Sequence, residues 1–312
     1  MDGILIIDKP GGVTSHDVVQ RVRKALKTSR VGHLGTLDPM ATGVLLLCIG
    51  KATRIGRFLT TSPKEYVGEI RFGFATTTYD REGEPAGPEQ PLKHSQAEIE
   101  AAMRSLTGAY DQKPPLISAK KMGGIPSYKL ARRGMALEPI AVPIEVSKFE
   151  LTTFSPPLAG FRVICSSGTY VRSLAHDLGQ QLGCGAHLES LRRIQSGNFG
   201  FEQAVPLHTA SAADIVPLDA LLAELPRFET ASDLDEDRVR HGNPVGTGLA
   251  PGLARIFNKK GEFLAVASIE NGWAHPRVVL TSVTSVEPRK ASLRQDTRQE
   301  SRIGVHESNE GN

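Results

Sequence analysis

The stretch GHLGTLDPMATG at residues 32–43 constrains the fold more than any other part of the sequence, because it joins a predicted helix to the apolar run GVLLLCIG. Glycines at positions 32, 35 and 43 permit backbone conformations and close approaches that a Cβ would forbid. Pro39 favours an extended backbone at Asp38. Taken alone, Asp38 is either a turn residue ahead of a proline or a carboxylate displayed to attack an electrophilic carbon, and the turn is the simpler interpretation.

Apolar spacing predicts a chain in which strands and helices are mixed. Ser15 is expected to cap a helix over HDVVQRVRKALK. The other predicted helices are KATRIGRFLT (51–60), SQAEIEAAMRSLTG (95–108) and GTYVRSLAHDLGQQLG (168–183). The predicted strands are GILIID (3–8), EYVGEIRFG (65–73), AHLESLRRIQSG (186–197) and a hairpin formed by VSKFELTTF and GFRVICSSG. The fold class is therefore α/β in the broad α+β sense.

The C-terminal part changes character after a linker at 205–225. Segment 228–280 has a helix-like stretch near 233–241 followed by short strands around glycines and prolines, which indicates a small β-rich module. Residues 283–312 are polar with few aliphatic side chains, and we expect them to be disordered. The expected organisation is a domain over 1–225, a module over 226–282 and a tail.

Basic residues are concentrated locally, although the formal net charge is only +3. Residues 1–60 hold nine Lys or Arg against four Asp or Glu. Residues 113–133 hold six basic residues and no acid, within a proline-rich excursion that we expect to be a long functional loop with a short helix near 127–133. Local basic charge is typical of a groove that meets phosphates, while a solvated face is the simpler interpretation of any single run.

Several function classes have no support in the sequence. The three cysteines (Cys48, Cys165, Cys184) are odd in number and far apart, so a reducing cytoplasm is the expected setting. The N-terminus does not resemble a signal peptide, and GVLLLCIG is too short to span a bilayer. No C-x-x-C, H-E-x-x-H, Walker or G-x-S-x-G motif occurs, and the C-x-x-H spacing of Cys184 and His187 lacks a second pair. We expect no metal and no cofactor.

Three further side chains could serve either a site or the core. Arg172, at the start of a helix, could hold a carboxylate ionised and oriented, or it could be a surface arginine. Tyr170 lies two residues before Arg172, so the two side chains could share a site only if the transition from strand to helix falls at these residues. Tyr66 could stack on a nucleobase or simply fill the core.

Taken together, three motifs resemble the tRNA pseudouridine-55 synthase family. DKPGGVTS (8–15) resembles its N-terminal K-P-x-G-x-T-S element, and GHLGTLDPMATGVL (32–45) resembles its G-H-x-G-T-L-D-P-x-A-x-G-x-L motif at every fixed position. GTYVRSL (168–174), followed by LRR (191–193), is similar to its third element. The resemblance runs from about residue 3 to residue 205, and three long motifs in the same order are a specific match.

This resemblance implies a role for each motif residue. Asp38 would be the catalytic aspartate, paired with Arg172, and Tyr66 would stack under the target uracil. The remaining implied site residues are Tyr170 in the pocket wall, Lys9 supporting the N-terminal motif, Leu191 and Ile194 as apolar walls, and His33 in the space of the extruded base. The reaction needs no redox change and no energy input, which is consistent with the expected lack of a cofactor.

The resemblance also implies the partner, the T-arm of tRNA. The insert over 113–146 corresponds to a mobile thumb that grips this arm, with Lys120, Lys121, Tyr128 and Arg132 as candidate contacts, although GGIPSY departs from the commoner basic spacing there. The implied fold is a mixed, mainly antiparallel sheet flanked by helices, with a PUA-like RNA-binding module over 226–282. A monomer is the family's default state, and no membrane is involved.

Other function classes remain as alternatives. An RNA-binding or tRNA-folding protein on the same scaffold would not need Asp38, and a guide-RNA-dependent synthase subunit would not need a basic insert of its own. A glycoside hydrolase needs two carboxylates, and none of the three motifs supplies a second one for its site. The sequence favours a stand-alone isomerase that flips the uridine and uses Asp38 to cleave and re-form the glycosidic bond.

Overall fold

The computed structural model describes residues 1–60, 63–115 and 140–281, together with the backbone of residues 121–122 and 125–126. Its strands are, in chain order, β1 (Gly3–Lys9), β2 (Val31–Leu34), β3 (Thr42–Ile49), β4 (Lys64–Phe72), β5 (Gly108–Gln112), β6 (Lys121–Met122), β7 (Ile125–Pro126), β8 (Val142–Ser155), β9 (Leu158–Cys165), β10 (Ala186–Ser196), β11 (Phe199–Gly200), β12 (Val205–Pro206), β13 (Ile215–Pro217), β14 (Arg227–Glu229), β15 (Val245–Gly246), β16 (Gly252–Phe257), β17 (Phe263–Glu270) and β18 (Trp273–Val279). Its helices are α1 (Ser15–Ala25), α2 (Gly56–Leu59), α3 (Gln96–Ser105), α4 (Val171–Gln181) and α5 (Asp233–Arg240).

The central sheet is mixed and mainly antiparallel, which confirms the predicted fold class. Its main path runs β12-β1-β3-β10-β4-β9-β8-β5, with β2 beside β3, β11 beside β10 and β13 beside β1. Most neighbours are antiparallel, while β3 with β10 and β12 with β1 are parallel. The parallel β3–β10 pair brings Thr42 beside Arg192 and Gly43 beside Arg193, although these residues are far apart in sequence.

Strands β1 and β3 are almost continuously apolar, because both of their faces are buried. In β1, Leu5 and Ile7 pack into the core beneath the helices, while Ile4 and Ile6 point into a second core on the opposite face. The second core also contains Phe257 and other side chains of the C-terminal sheet. The buried strand predicted from the apolar run over residues 3–8 is therefore confirmed by β1.

The C-terminal sheet has the order β14-β16-β17-β18-β15, and α5 lies beside it. This agrees with the β-rich character predicted for 228–280. Contacts group residues 1–281 into one compact unit, while the tail expected to be disordered, 283–312, lies outside the described residues. The predicted linker is not a plain connector, because β12 and β13 within it pair with β1 and extend the central sheet.

Three local predictions need correction. The helix expected over 51–60 is a 3-10 turn (Gly50–Arg54) followed by the single turn of α2, where Gly56 lies so close to Leu34 that a Cβ would approach it to 2.8 Å. Residues 31–34 are strand β2 paired with β3, so the loop begins only at Gly35. Thr14, rather than Ser15, caps α1, in a capping box with Asp17.

Two of the three motif glycines serve the purpose that the sequence suggested. Gly43 has φ +97°, and a Cβ there would clash with the backbone of Arg193 on the neighbouring strand. Gly35 has φ +71°. Gly32 is an ordinary strand residue with open space where its Cβ would be, so its conformational freedom is not used.

Gly43→Ala should destabilise the protein much more than Gly12→Ala. Both residues have positive φ, but a Cβ at Gly12 meets nothing within 4 Å. We expect a loss of about 2–5 kcal/mol for Gly43→Ala, from overpacking and left-handed strain together, and about 1–2 kcal/mol for Gly12→Ala from strain alone. Urea unfolding at fixed pH measures both, and equal losses would contradict a close β3–β10 approach at Gly43.

Candidate active site

An ion pair joins the 35–41 loop to the first turn of α4. The guanidinium of Arg172 contacts Asp38 through Nε to Oδ2 at 2.9 Å and through Nη2 to Oδ1 at 3.3 Å. The Arg172 side chain is only 7% exposed, whereas that of Asp38 is 37% exposed. Two contacts between a planar guanidinium and a carboxylate fix the orientation of both groups. The pair therefore presents a fixed, accessible carboxylate over a buried cation.

Arg172 also holds a second carboxylate, which the sequence did not single out. Its Nη1 lies 3.2 Å from Oδ2 of the buried Asp80 and donates to the carbonyl oxygen of Thr78 at 2.9 Å. Asp80 lies in a polar loop whose composition gave no hint of a buried partner. The guanidinium is thus shared between Asp80, which anchors it, and Asp38, which it presents.

The loop that carries Asp38 is fastened on both sides of that residue. The buried hydroxyl of Ser15 donates to the carbonyl of Leu37 at 3.0 Å and accepts from its N–H at 2.9 Å. The ammonium of Lys9 donates to the carbonyl of Pro39 at 3.1 Å and to that of Val13 at 2.7 Å. Because neighbours on either side of Asp38 are held by buried groups, the carboxylate cannot drift from Arg172.

Lys9 supports this loop from a fully buried position. Burial lowers the pKa of Lys9 to about 8, and the charge of Asp38 opposes that shift. Its ammonium bonds only backbone carbonyls among the described residues, and it does not line the cavity beside Asp38. Lys9 therefore lies behind the Asp38 loop and holds it through backbone carbonyls.

A cavity of about 580 Å³ lies beside the Asp38–Arg172 pair, a size within the range of small-molecule sites. Because side chains alternate along a strand, Lys64 and Tyr66 of β4 share one face with Leu191 and Arg193 of β10. Ile194 does not line the cavity, since it alternates with Arg193. The cavity is lined by Gly35, Thr36, Leu37, Asp38, Thr60, Lys64, Tyr66, Val142, Pro143, Ser167, Gly168, Thr169, Tyr170, Val171, Arg172, Leu191 and Arg193.

Tyr170 reaches the same cavity because it occupies the N-cap position of α4, at the transition where the sequence required it to be. The side chain of Gln112 accepts a hydrogen bond from the Tyr170 N–H at 2.8 Å and donates to its carbonyl at 3.1 Å. Gln112 ends β5 just before the basic insert and so holds Tyr170 in place, while Val142 and Pro143, which begin β8 within the insert, line the cavity itself.

Other predicted site residues are not brought to this cavity. His33 is half-buried in β2, opposite Leu47, and does not line it. Burial lowers the pKa of His33, with the charge of Arg193 adding to the effect, so its imidazole is neutral at physiological pH. The side chains of Lys120, Lys121, Tyr128 and Arg132, and the helix expected near 127–133, lie outside the described residues.

The floor of the cavity is strongly positive. Arg193 is fully buried, with its Nε donating to the carbonyl of Val44 at 2.7 Å and its Nη2 to that of Gly35 at 3.1 Å. Its guanidinium carbon lies 6.0 Å from the ring centre of Tyr66. Burial lowers the pKa of Lys64 to about 8, and Arg193 contributes. Burial raises the pKa of the Tyr66 hydroxyl, which is therefore protonated at neutral pH.

The described residues contain neither a cluster of metal-binding side chains nor a helix able to span a membrane. No group of three or more His, Cys, Asp or Glu side chains converges as metal ligands would, within residues 1–60, 63–115 and 140–281. In the same part of the chain, no helix has both the length and the apolar character needed to cross a membrane.

Comparison with known proteins places the chain in a family. Residues 23–171 match the N-terminal domain of the TruB family of pseudouridylate synthases, and residues 172–227 match the C-terminal domain of tRNA pseudouridylate synthase B. The tRNA pseudouridine synthase B of Solibacter usitatus is 43% identical over 90% of this chain and 100% of its own length. The chain belongs to the TruB family of pseudouridylate synthases.

Further relatives agree with this assignment. The tRNA pseudouridine synthase B of Thermobifida fusca is 43% identical, over 89% of this chain and 98% of that protein. Among solved structures, a chain of a Cbf5-Nop10-Gar1 complex matches with a TM-score of 0.67 and 27% identity, over 90% of this chain and 85% of that chain. A chain of an H/ACA RNP bound to a substrate RNA containing 2'-deoxyuridine matches with a TM-score of 0.66 and 25% identity, over 89% of this chain and 85% of that chain.

Ser15→Ala should loosen the Asp38 loop, whereas Thr14→Ala should not. The first change leaves the buried N–H and carbonyl of Leu37 without their partner, at a cost of about 1–3 kcal/mol. The second removes the helix cap of α1 for about 1 kcal/mol. Hydrogen exchange at the Leu37 amide should accelerate sharply in Ser15→Ala and only in proportion to global stability in Thr14→Ala. Similar exchange in the two variants would show that Ser15 does not fasten the loop.

Proposed function

We propose that this protein isomerises the uridine at position 55 in the T-loop of tRNA to pseudouridine, with Asp38 as the catalytic carboxylate. The observation that carries the proposal is the Asp38–Arg172 pair at the edge of a cavity walled by Tyr66 and Leu191, in a chain of the TruB family. Pseudouridylation of tRNA is the activity named for the curated relatives, and the specific uridine and residue roles are the proposal.

The reaction breaks the N1–C1′ bond of uridine, turns the base and forms a C5–C1′ bond. A base inside a folded arm must first be flipped out, at a cost of about a few kcal/mol. The cavity is large enough for a base, and Tyr66 offers it an aromatic surface while Leu191 supplies an apolar one. A closed pocket also keeps the detached uracil from diffusing away before the new bond forms.

Asp38 can begin the chemistry in three ways. Its carboxylate can attack C1′ of the sugar, attack C6 of the base, or remove the 2′ proton to leave a glycal. Each route needs a carboxylate held at a fixed position, and the Arg172 guanidinium at 2.9 Å fixes the orientation of Asp38. Asp80, on the far side of the guanidinium, keeps Arg172 in place while Asp38 reacts.

RNA contacts follow from the charge distribution. The T-arm would lie across the cavity between the insert over 113–146 and the 35–41 loop, with Lys120, Lys121, Tyr128 and Arg132 as contacts. His33 would fill the space that the flipped base leaves, and its neutral imidazole can stack between bases at modest desolvation cost. The C-terminal sheet over 227–279 would act as a PUA-like accessory. The enzyme would work as a cytoplasmic monomer without metal or cofactor.

Asp38→Asn should abolish turnover while preserving the fold. The amide keeps the size of the side chain but cannot act as a nucleophile or base. The assay incubates purified protein with an unmodified tRNA transcript tritiated at uracil C5, without guide RNA or cofactor, and measures tritium release. We expect release with wild-type protein, none from a transcript with cytidine at position 55 as its only change, and a loss of at least about 10⁴-fold in the variant. Release at the wild-type rate by Asp38→Asn would remove this residue from the mechanism.

His33→Ala should weaken productive RNA binding more than it alters chemistry. The side chain lies outside the cavity, so its removal should lower the fraction of RNA bound with a flipped base without changing bond cleavage. Single-turnover tritium release should need higher enzyme concentration yet approach the wild-type plateau rate at saturation. A saturated rate as low as that of Asp38→Asn would place His33 in the chemistry instead.

A further inference from the structure

Arg193 is a buried cation whose role neither the fold nor the proposed reaction explains so far. The side chain has no exposed surface, and its guanidinium donates to the backbone carbonyls of Val44 and Gly35. In the described part of the chain, no carboxylate lies within 4 Å of its guanidinium. Burying a charge without a counter-charge is costly, and a neutral amide could bond the same carbonyls at lower cost. Such a group suggests an anion that is present only during function.

Lys64 adds a second positive charge at the same place. Its Cε and the Nη1 of Arg193 converge on Gly35, where a Cβ would lie 3.3 Å from the first and 3.4 Å from the second. The Lys64 ammonium also donates to the hydroxyl of Ser167 and to the carbonyl of Thr60. Both cations flank Tyr66, since Lys64 precedes it by two residues on β4 and Arg193 pairs opposite it on β10.

The charged groups around the cavity do not balance. Its described lining contains Lys64, Arg172 and Arg193 but only one carboxylate, Asp38. Arg172 faces Asp38 and the buried Asp80. The positive charge that no described carboxylate faces is therefore that of Arg193, which lies beside Tyr66.

A phosphate does not fit this surplus charge, because phosphates are bound by direct contact with several donors and Arg193 exposes none. A flat, delocalised anion lying against Tyr66 does fit, because in a dry site the field of a charge acts over several ångströms with little screening. Resting on the proposed function, we propose that Arg193 and Lys64 stabilise the uracil anion formed when the glycosidic bond breaks.

On this route Asp38 acts on the sugar rather than on C6 of the base. The N1–C1′ bond breaks heterolytically, and its electron pair stays on the uracil as an anion delocalised over N1, O2 and O4. C1′ either bonds to the Asp38 carboxylate or becomes part of a glycal as Asp38 takes the 2′ proton. The anion then turns, C5 bonds to C1′ with release or reprotonation by Asp38, and the C5 proton leaves. The two cations neutralise charge only while the base is detached.

If the two cations stabilise the departing uracil anion, a base that forms a more stable anion should depend less on them. 5-Fluorouracil forms a more stable anion than uracil, so its departure depends less on outside stabilisation. The assay uses two tRNA transcripts that differ only by uridine or 5-fluorouridine at the target position. Single-turnover loss of the target nucleoside is followed by nuclease digestion and mass spectrometry, which registers detachment and reattachment even though fluorine blocks the final proton loss.

Arg193→Met should lower the single-turnover rate with the uridine substrate by about 100-fold, which is the loss typical of removing one preorganised electrostatic group. The rate with the 5-fluorouridine substrate should fall by a factor at least ten times smaller. The ratio of the 5-fluorouridine rate to the uridine rate should therefore rise relative to wild type. Lys64→Met should raise the ratio in the same direction. Arg193→Lys, which keeps the charge, should return the ratio toward the wild-type value. The ratio compares two substrates in one preparation, so partial misfolding does not change it.

Arg192→Met is the matched control. This neighbour lies on the same strand but pairs with Asp8 at 3.0 Å and does not line the cavity, so its ratio should equal that of wild type. An unchanged ratio in Arg193→Met, or an Arg193→Lys ratio as high as that of Arg193→Met, would overturn the proposal. Failure of wild-type protein to convert uridine would instead defeat the proposed function, and the two failures are therefore distinct.

Discussion

The site depends on one guanidinium that holds two carboxylates. Arg172 is buried, and it contacts Asp38 on one side and Asp80 on the other. A buried ion pair contributes little to stability, because desolvation offsets the attraction, but removing one partner is strongly destabilising. The two ion pairs of Arg172 therefore serve mainly to position the Asp38 carboxylate, and they add little to the stability of the fold. The guanidinium joins the first turn of α4 to two loops and leaves the carboxylate of Asp38 accessible at the cavity.

The surrounding fold holds the Asp38 loop in place and aligns the strand that follows it. The Asp38 loop is held by Lys9, the last residue of β1, and by Ser15, the first residue of α1. The parallel β3–β10 contact at Gly43 then places the strand that follows the loop beside the strand carrying Leu191 and Arg193. Strand alternation then forms the cavity wall, because Lys64 and Tyr66 of β4 and Leu191 and Arg193 of β10 face the same side of the sheet.

Most of this architecture could be predicted from the sequence where the signal was local. An apolar run buried on both faces located β1, and the motif resemblance paired Asp38 with Arg172 before any geometry was available. Asp80 was missed because a carboxylate in a polar loop carries no periodicity that marks it as buried. Ser15 was assigned to the wrong role because two adjacent hydroxyl residues both suit a helix cap, and only packing decides between them. The resemblance implied Ile194 as an apolar wall beside Leu191, but only Leu191 lines the cavity.

The most direct test of this account is a structure of the protein bound to a T-arm hairpin that carries 5-fluorouridine at the target position. The account predicts a flipped base lying against Tyr66 inside the cavity, with an Asp38 carboxylate oxygen about 3–3.5 Å from C1′, the 2′ carbon or C6. A base that stays stacked within the RNA loop, or that enters a different cavity with Asp38 pointing away, would contradict it.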